Sequence, residues 1–205
     1  MQLTSQSLTP NAAIPTTFAF GKPDGNGQIG LSDNNNPHLK WVDVPEGTQS
    51  FAIVCVDPDA PTDKSQANRQ DKAIDVDFPR GSFYHWTVAN LPASVTEIAA
   101  GAHSNSITPG GKSPGETPSG GVQGQNSYTQ WFDGDADMGG TYCGYDGPCP
   151  PFNDERIHGY HFIVYAVDVP TLELPESFTA GDLHGALAGH VLAQATLIGT
   201  YSTRG

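Results

Sequence analysis

The sequence has few cysteines, few basic residues and no long apolar run. Three cysteines, an odd number, do not make the disulfide framework of a small secreted protein. Nine lysines and arginines stand against 22 acidic residues, a formal charge of −13, so the clustered cations that bind nucleic acids or anionic membranes are missing. No apolar run approaches the length of a membrane span, and Met1 leads into polar residues rather than a signal-type start. We therefore expect a cytoplasmic protein with no transmembrane segment and no nucleic-acid partner.

Glycine and proline, in contrast, are abundant, with 24 and 17 residues. They are spread among apolar runs, which predicts many turns between strands rather than disorder. A length of 205 residues suffices for one sizeable core, and we expect residues 1–205 to form a single domain. Cys143 and Cys149 lie six residues apart in a turn-rich loop, close enough to pair if the turn allows. The reducing compartment expected above argues against that disulfide.

Three apolar segments predict the central strands of a sheet. The run from Phe51 to Pro61 begins with apolar residues, several of them β-branched or aromatic, which indicates a strand buried on both faces that ends at Asp57. Ser82 to Leu91 is rich in aromatic and β-branched residues. Gly159 to Val169 alternates poorly, as expected for a strand covered on both sides. Prolines flank Asp57 and Asp59, and we expect the stiff turn to hold both carboxylates in place.

Shorter elements are predicted around these strands. Weakly patterned segments predict strands at 14–20 and 196–201. Capping-box spacings, in which an acidic residue follows a serine or threonine by three positions, predict short helices at 95–100 and 180–192. The glycine-rich stretch 101–127 has no periodic pattern, and we expect an ordered surface excursion there.

The candidate constellation consists of Asp57, His85 and His158. Each lies beside a predicted strand and a turn rich in proline or aromatic residues. A single histidine near a strand is more often a structural residue than a ligand-binding one. Together, however, an aspartate can hold an imidazole in one tautomer while two imidazoles donate hydrogen bonds to an anion.

Three motifs make the sequence resemble the phosphatidylethanolamine-binding protein family, and in particular its bacterial branch, often labelled Raf-kinase-inhibitor-like. They are DPDAP at 57–61, HWTVANLP at 85–92, and GPCPP at 147–151 followed by HGYHFIVYA at 158–166. The resemblance spans nearly the whole chain. It implies a mainly β fold, an antiparallel β-sandwich with a large central sheet, a smaller sheet and a few short helices that include a C-terminal one.

The resemblance also implies a small anion pocket at one end of the sandwich. Its residues would be Asp57, His85 and His158, with Asp59, Tyr160 and the backbone of Gly147 and Pro148 at the rim. Family members accept phosphate-like or carboxylate head groups, including phosphorylated ethanolamine. We therefore expect a non-enzymatic binding module, with no cofactor and no metal, that captures an anionic group and modulates a signalling partner. The bacterial relatives also suggest a homodimer.

The presence of Asp57 in the expected pocket predicts that anion binding depends on pH. Asp57 beside the two histidines would favour their charged forms and raise their pKa values. Anion binding is then expected to be tighter below about pH 6.5, the unperturbed value of histidine.

The sequence departs from the family pattern in one segment, and three alternative functions remain open. The segment Phe152–Ile157, FNDERI, is longer and more charged than the usual link before the histidine, which alters the expected pocket mouth and partner surface. A hydrolase with Cys149 as nucleophile, His158 as base and Asp57 as orienting residue would have the required parts. A metal site made of His85, His158 and Asp57 would suit zinc or iron. A protease inhibitor acting through outer loops is the third alternative.

Overall fold

The computed structural model describes residues 1–204, which are mainly β as predicted. The strands are β1 (Gln2–Thr4), β2 (Gly21–Pro23), β3 (Ile29–Leu31), β4 (Leu39–Val42), β5 (Ser50–Pro61), β6 (Arg80–Pro92), β7 (Glu97–Ile98), β8 (Gly115–Glu116), β9 (Val122–Gln123), β10 (His158–Val167) and β11 (Val191–Tyr201). The α-helices are α1 (Tyr128–Trp131) and α2 (Ala180–Leu187), and 3₁₀ turns lie at Thr16–Phe18 and Lys64–Gln66.

The strands form one large and two small antiparallel sheets. The large sheet has six strands in the order β11-β10-β5-β6-β9-β8. The three-stranded sheet has the order β1-β4-β7, and β2 pairs with β3 as a separate hairpin. The strand predicted first, β5, lies in the middle of the large sheet between β10 and β6, where both of its edges are hydrogen-bonded.

Strand β5 is buried on both faces, as its composition predicted. Successive side chains of a strand point to opposite faces, and here they enter two different cores. Phe51, Ile53 and Cys55 pack in the core shared with the three-stranded sheet, while Ala52 and Val54 pack under α2. All five are fully excluded from solvent. The molecule is therefore a sandwich of two sheets with a helix over the outer face of the larger one.

Two predicted elements are wrong. Residues 14–20 hold the 3₁₀ turn Thr16–Phe18 after Pro15, rather than a strand. Residues 95–100 form no helix, because Glu97 and Ile98 pair with β4 as β7. Burial of Ile98 in the core outweighs the local helix signal, and the Glu97 carboxylate accepts a hydrogen bond from Lys40 instead of capping a helix.

Other boundaries shift by a few residues. Helix α2 begins where its capping box predicted, with Thr179 and Asp182 bonded reciprocally, but it ends at Leu187 rather than Leu192. Gly189 has a positive φ of 85° and turns the chain into β11, which starts at Val191 instead of Thr196. Strand β5 continues past Asp57 to Pro61, with an irregular register between Asp57 and Ala60.

Two further observations concern the whole chain. None of the helices within residues 1–204 is long and apolar enough to cross a membrane. Cys55, Cys143 and Cys149 are free thiols, so the disulfide considered for the last two does not form in the structure.

Candidate functional site

The candidate site is a cavity of about 610 Å³ beside the end of β5. Because β10 and β6 run antiparallel to β5, both begin where β5 ends, and Asp57 is paired with Phe83 of β6. The cavity is lined by the predicted residues Asp57, His85, His158 and Tyr160. Aromatic side chains form much of the remaining wall, namely Phe20, Phe83, Tyr128, Trp131 and Phe132.

His158 is held between two carboxylates. Its Nδ1 donates to Asp57 Oδ2 at 2.7 Å, and its Nε2 donates to Asp154 Oδ2 at 3.0 Å. Although burial favours the neutral ring, these two hydrogen bonds and the two negative charges raise the pKa of His158 to about 9. His158 is therefore a buried imidazolium at neutral pH with both ring nitrogens already engaged.

The chain of charges continues to Arg80. Its guanidinium makes a bidentate pair with Asp154, at 2.6 Å to Oδ2 and 3.0 Å to Oδ1. Burial alone would raise the pKa of Asp154, but hydrogen bonds from His158 and Arg80 lower it to about 2. Asp57, His158, Asp154 and Arg80 thus form a buried row of alternating charges that sum to zero, and none is left uncompensated.

His85 has a different environment from His158. Its Nδ1 lies 2.8 Å from the carbonyl oxygen of Asp146, and since a carbonyl can only accept, Nδ1 carries the proton. Burial lowers the pKa of His85, against the opposing charge of Asp57. Asp57 thus acts on His85 in the expected direction, but burial outweighs it, so the net rise expected for both histidines is found only at His158. The neutral ring of His85 leaves Nε2 without a proton, and the ring lines the cavity.

Tyr160 contributes a hydroxyl to the cavity wall. The side chain is fully buried, and its hydroxyl finds no hydrogen-bond partner within residues 1–204. Its ring meets the ring of His85 edge-on, with centroids 5.1 Å apart. Burial raises the pKa of Tyr160 well above its usual value, and the nearby charge of Asp57 adds to that rise. The hydroxyl therefore stays protonated at neutral pH, with the Asp57 carboxylate close enough to attract its proton until a ligand accepts it.

The comparisons with known proteins agree with this architecture. The family model of the phosphatidylethanolamine-binding proteins matches residues 4–202. The UPF0098 protein YbcL of Escherichia coli K12 is 32% identical over 191 residues, which cover 93% of this chain and 79% of the relative. A UPF0098 protein of Aquifex aeolicus is 34% identical over 98% of this chain and 88% of its own length.

Two solved structures have the same fold over nearly the whole chain. The crystal structure of Escherichia coli YbcL, described as a new member of the mammalian PEBP family, superposes with a TM-score of 0.69 at 28% identity and covers 98% of this chain and 97% of the other. A phosphatidylethanolamine-binding protein homologue from Chlamydia trachomatis gives 0.65 at 29% identity, with 98% and 96% covered.

This chain belongs to the phosphatidylethanolamine-binding protein family. The fold implied by the sequence resemblance is confirmed. The names of the UPF0098 relatives specify neither a ligand nor a reaction.

Three of the rim residues expected from the family do not line the cavity. Asp59 instead braces the turn, because its carboxylate accepts from Arg156 Nη1 at 2.8 Å and from the Gly159 amide at 2.9 Å. The Gly147 amide, expected to be an anion donor, already donates to Asn34 Oδ1 at 2.8 Å. The Pro148 carbonyl accepts from the amides of Phe20 and Gly21, so this backbone holds the loop in place.

Two acidic residues that contact the site histidines, Asp154 and Asp146, were not identified from the sequence. Asp154 comes from the FNDERI segment that departs from the family pattern, and its position four residues before His158 was the available signal. Asp146 fixes His85 through a backbone carbonyl, which any residue would supply, so no signal existed. The buried Asp146 carboxylate is itself held by Lys112, Asn34 and Asn126.

Proposed function

We propose that this member of the phosphatidylethanolamine-binding protein family is a non-enzymatic binding protein that takes an anionic, phosphate-like group into the cavity. The carrying observation is the buried Tyr160 hydroxyl, which has no hydrogen-bond partner within residues 1–204, on a ring 5.1 Å from the ring of His85 in an aromatic-walled cavity. Such convergence of a few polar atoms in a mainly apolar pocket is typical of a small-molecule site. The family name specifies a phosphorylated ligand of the same chemical class.

The charges at the cavity agree with an anion despite the net charge of −13. The negative charge of Asp57 is balanced by the imidazolium of His158, so it does not repel a ligand as a free carboxylate would. Tyr160 donates directly. His85 donates through Nε2 only after that nitrogen takes up a proton, which a bound anion favours. Anion binding should therefore be coupled to protonation of His85.

The test is a calorimetric titration with benzenesulfonate between pH 5 and 8. A sulfonate stays fully ionised over this range, so any pH dependence belongs to the protein. Because the pKa of His85 is low in the free protein and rises when an anion binds, affinity should increase as pH falls through the interval between these two values. Binding in this interval should consume protons, as seen by comparing buffers with different heats of ionisation.

The control is His85→Gln, which cannot titrate. It should bind the sulfonate with little pH dependence, while phosphoethanolamine should compete with the sulfonate for the wild-type protein. Absence of binding, or wild-type affinity that is constant or rises toward alkaline pH, would contradict the proposed function.

The hydrolase alternative is less well supported by the local chemistry. Burial raises the pKa of Cys149 to about 12, so its sulfur is a thiol rather than a reactive thiolate at neutral pH. We expect iodoacetamide to modify Cys149 slowly at pH 8 and acyl or phosphoryl esters not to be turned over. The metal alternative meets a similar obstacle, since both nitrogens of His158 are occupied by carboxylates and the described residues form no group suited to a metal ion. No contact favours the protease-inhibitor alternative.

A further inference from the structure

The mouth of the cavity carries a contact between two distant segments of the chain. Lys64 lies in the 3₁₀ turn between β5 and β6, and Trp131 is the last residue of α1. The Lys64 ammonium donates to the carbonyl oxygen of Trp131 and lies 5.6 Å from the centroid of the Trp131 ring. Both residues line the cavity, and Lys64 is exposed to solvent.

Lys64 is the only lysine or arginine that lines the cavity within residues 1–204. The cations nearest the site, Arg80 and Arg156, are paired with Asp154 and Asp59. Within residues 1–204 Lys64 forms no ion pair, although its charge acts on the exposed carboxylate of Asp135, whose pKa is lowered by backbone hydrogen bonds and, to a smaller extent, by Lys64. Its neighbour Asp63, which also lines the cavity, directs its carboxylate to the Ser65 amide and the Gln66 side chain.

The bond that Lys64 makes is exchangeable. Its partner is a neutral carbonyl, whereas a hydrogen bond between an ammonium and an anionic oxygen is shorter and roughly twice as strong. The flexible stem of lysine lets the ammonium turn to a ligand without moving the backbone. An anionic group at the mouth should therefore displace the Trp131 carbonyl.

Aromatic rings connect this ammonium with the floor of the cavity. The ring centroid of Trp131 lies 6.3 Å from that of Phe83, which lies 4.9 Å from that of His85. A ligand that places one anionic group at His85 would thus pass along aromatic side chains before reaching Lys64. Flat apolar groups pack well against such a wall.

We propose that the cavity is built for a ligand with two acidic groups separated by an apolar or aromatic spacer. One acidic group lies at His85 and Tyr160, and the second pairs with the ammonium of Lys64. This inference rests on the proposed function, because it adds a second anion subsite to the same cavity.

The test compares a monosulfonate with disulfonates by calorimetry. Benzenesulfonate is titrated first, followed by 1,4-benzenedisulfonate and 4,4′-biphenyldisulfonate, which differ in spacer length. At least one disulfonate should bind the wild-type protein about fivefold to tenfold more tightly than the monosulfonate, beyond the statistical advantage of two identical ends. Lys64→Gln should remove this gain and leave the affinity for benzenesulfonate nearly unchanged.

Lys40→Gln is the matched control. It removes the same charge from β4 of the smaller sheet, where Lys40 pairs with Glu97 outside the cavity, and it should preserve the gain. Tryptophan fluorescence locates the effect, since Trp41 and Trp86 are fully buried outside the cavity lining and only Trp131 contacts Lys64. A disulfonate should change the emission of the wild-type protein but not that of Trp131→Phe.

The outcomes separate the two proposals. If benzenesulfonate does not bind the wild-type protein, the proposed function fails, and the second subsite fails with it. If benzenesulfonate binds but neither disulfonate gains, or the gain persists in Lys64→Gln, the second subsite is overturned while the proposed function stands.

Discussion

At the scale of single residues, the Tyr160 hydroxyl is unusual because it is buried without a hydrogen-bond partner among residues 1–204. An unsatisfied buried hydroxyl costs free energy in the folded protein, and a ligand that accepts its hydrogen bond recovers that cost. Tyr145 provides a contrast on the same chain. It is also fully buried, but its hydroxyl donates to the Phe18 carbonyl at 2.6 Å.

The two tyrosines give opposite predictions for the same substitution. Tyr160→Phe should leave the melting temperature unchanged or raise it, and it should weaken benzenesulfonate binding by about tenfold because a hydrogen bond to an anion is lost. Tyr145→Phe should lower the free energy of unfolding by about 1 kcal/mol and leave binding unchanged. Calorimetric melting and titration measure both effects. A destabilised Tyr160→Phe with full affinity would mean that the hydroxyl serves the fold rather than a ligand.

At the scale of elements, the FNDERI segment (152–157) stabilises the site through contacts of Asn153 and Asp154. Asp154 pairs with both His158 and Arg80, and the neighbouring Asn153 donates hydrogen bonds to the carbonyls of Gln66 and Lys72 in the β5–β6 connection. The segment therefore joins β10 to the excursion that carries Lys64. The segment that we expected to depart from the family pattern thus supports the cavity through these contacts.

Asp154→Asn tests this role of the segment. The substitution leaves buried positive charge on Arg80 and His158 with less compensation, so we expect a loss of about 3 kcal/mol in the free energy of unfolding. The pKa of His158 should fall from about 9, as followed by NMR titration of the ring. Asp71→Asn is the control, because it breaks only an exposed pair with Arg69, which water and salt screen, and it should cost far less. Equal costs for the two substitutions would contradict the supporting role of Asp154.

The elements also show what the sequence could predict. Strands β5, β6 and β10 were predictable because they are continuous apolar runs, and the capping box at Thr179 located the start of α2. A similar capping-box spacing before Ile98 gave a false helix, since only the tertiary fold shows that Ile98 is buried beside β4. Local signals therefore identified elements correctly only where the long-range contacts agreed with them.

The same limit applies to the site. The four residues Asp57, His85, His158 and Tyr160 were predicted to come together, and they line one cavity. The contact between Asp57 and His158 was among those expected. The Asp146 carbonyl could not be predicted, because any residue supplies one, and Asp154 was signalled only by its position four residues before His158. These partners decide the protonation states. Consequently His158 is a buried imidazolium with both ring nitrogens engaged, whereas burial favours the neutral form of His85.

At the scale of the whole molecule, buried histidines should set the pH dependence of stability. The pKa of His158 is raised to about 9, so its contribution is complete below about pH 6.5 and is lost as pH rises through 9. Burial lowers the pKa of His103 to about 4. As pH falls from about 6.5 to 4, this histidine becomes protonated in the unfolded chain but not in the folded one, so the free energy of unfolding decreases. The two effects have opposite signs and together favour maximum stability near pH 6.5.

Two substitutions should separate the alkaline and acid parts of this pH dependence of stability. Between pH 6.5 and about 9, His158 should cost the wild-type protein at most about 3 kcal/mol in the free energy of unfolding. Asp154→Asn removes a partner of His158, so the melting temperature of this variant should fall less steeply over the same range. His103→Gln should flatten only the acid limb between about pH 6.5 and 4. Each variant is the control for the other, and the self-repulsion of the acidic chain is common to all three proteins. Scanning calorimetry across this range measures the slopes, and parallel profiles for the three proteins would show that neither histidine governs the dependence.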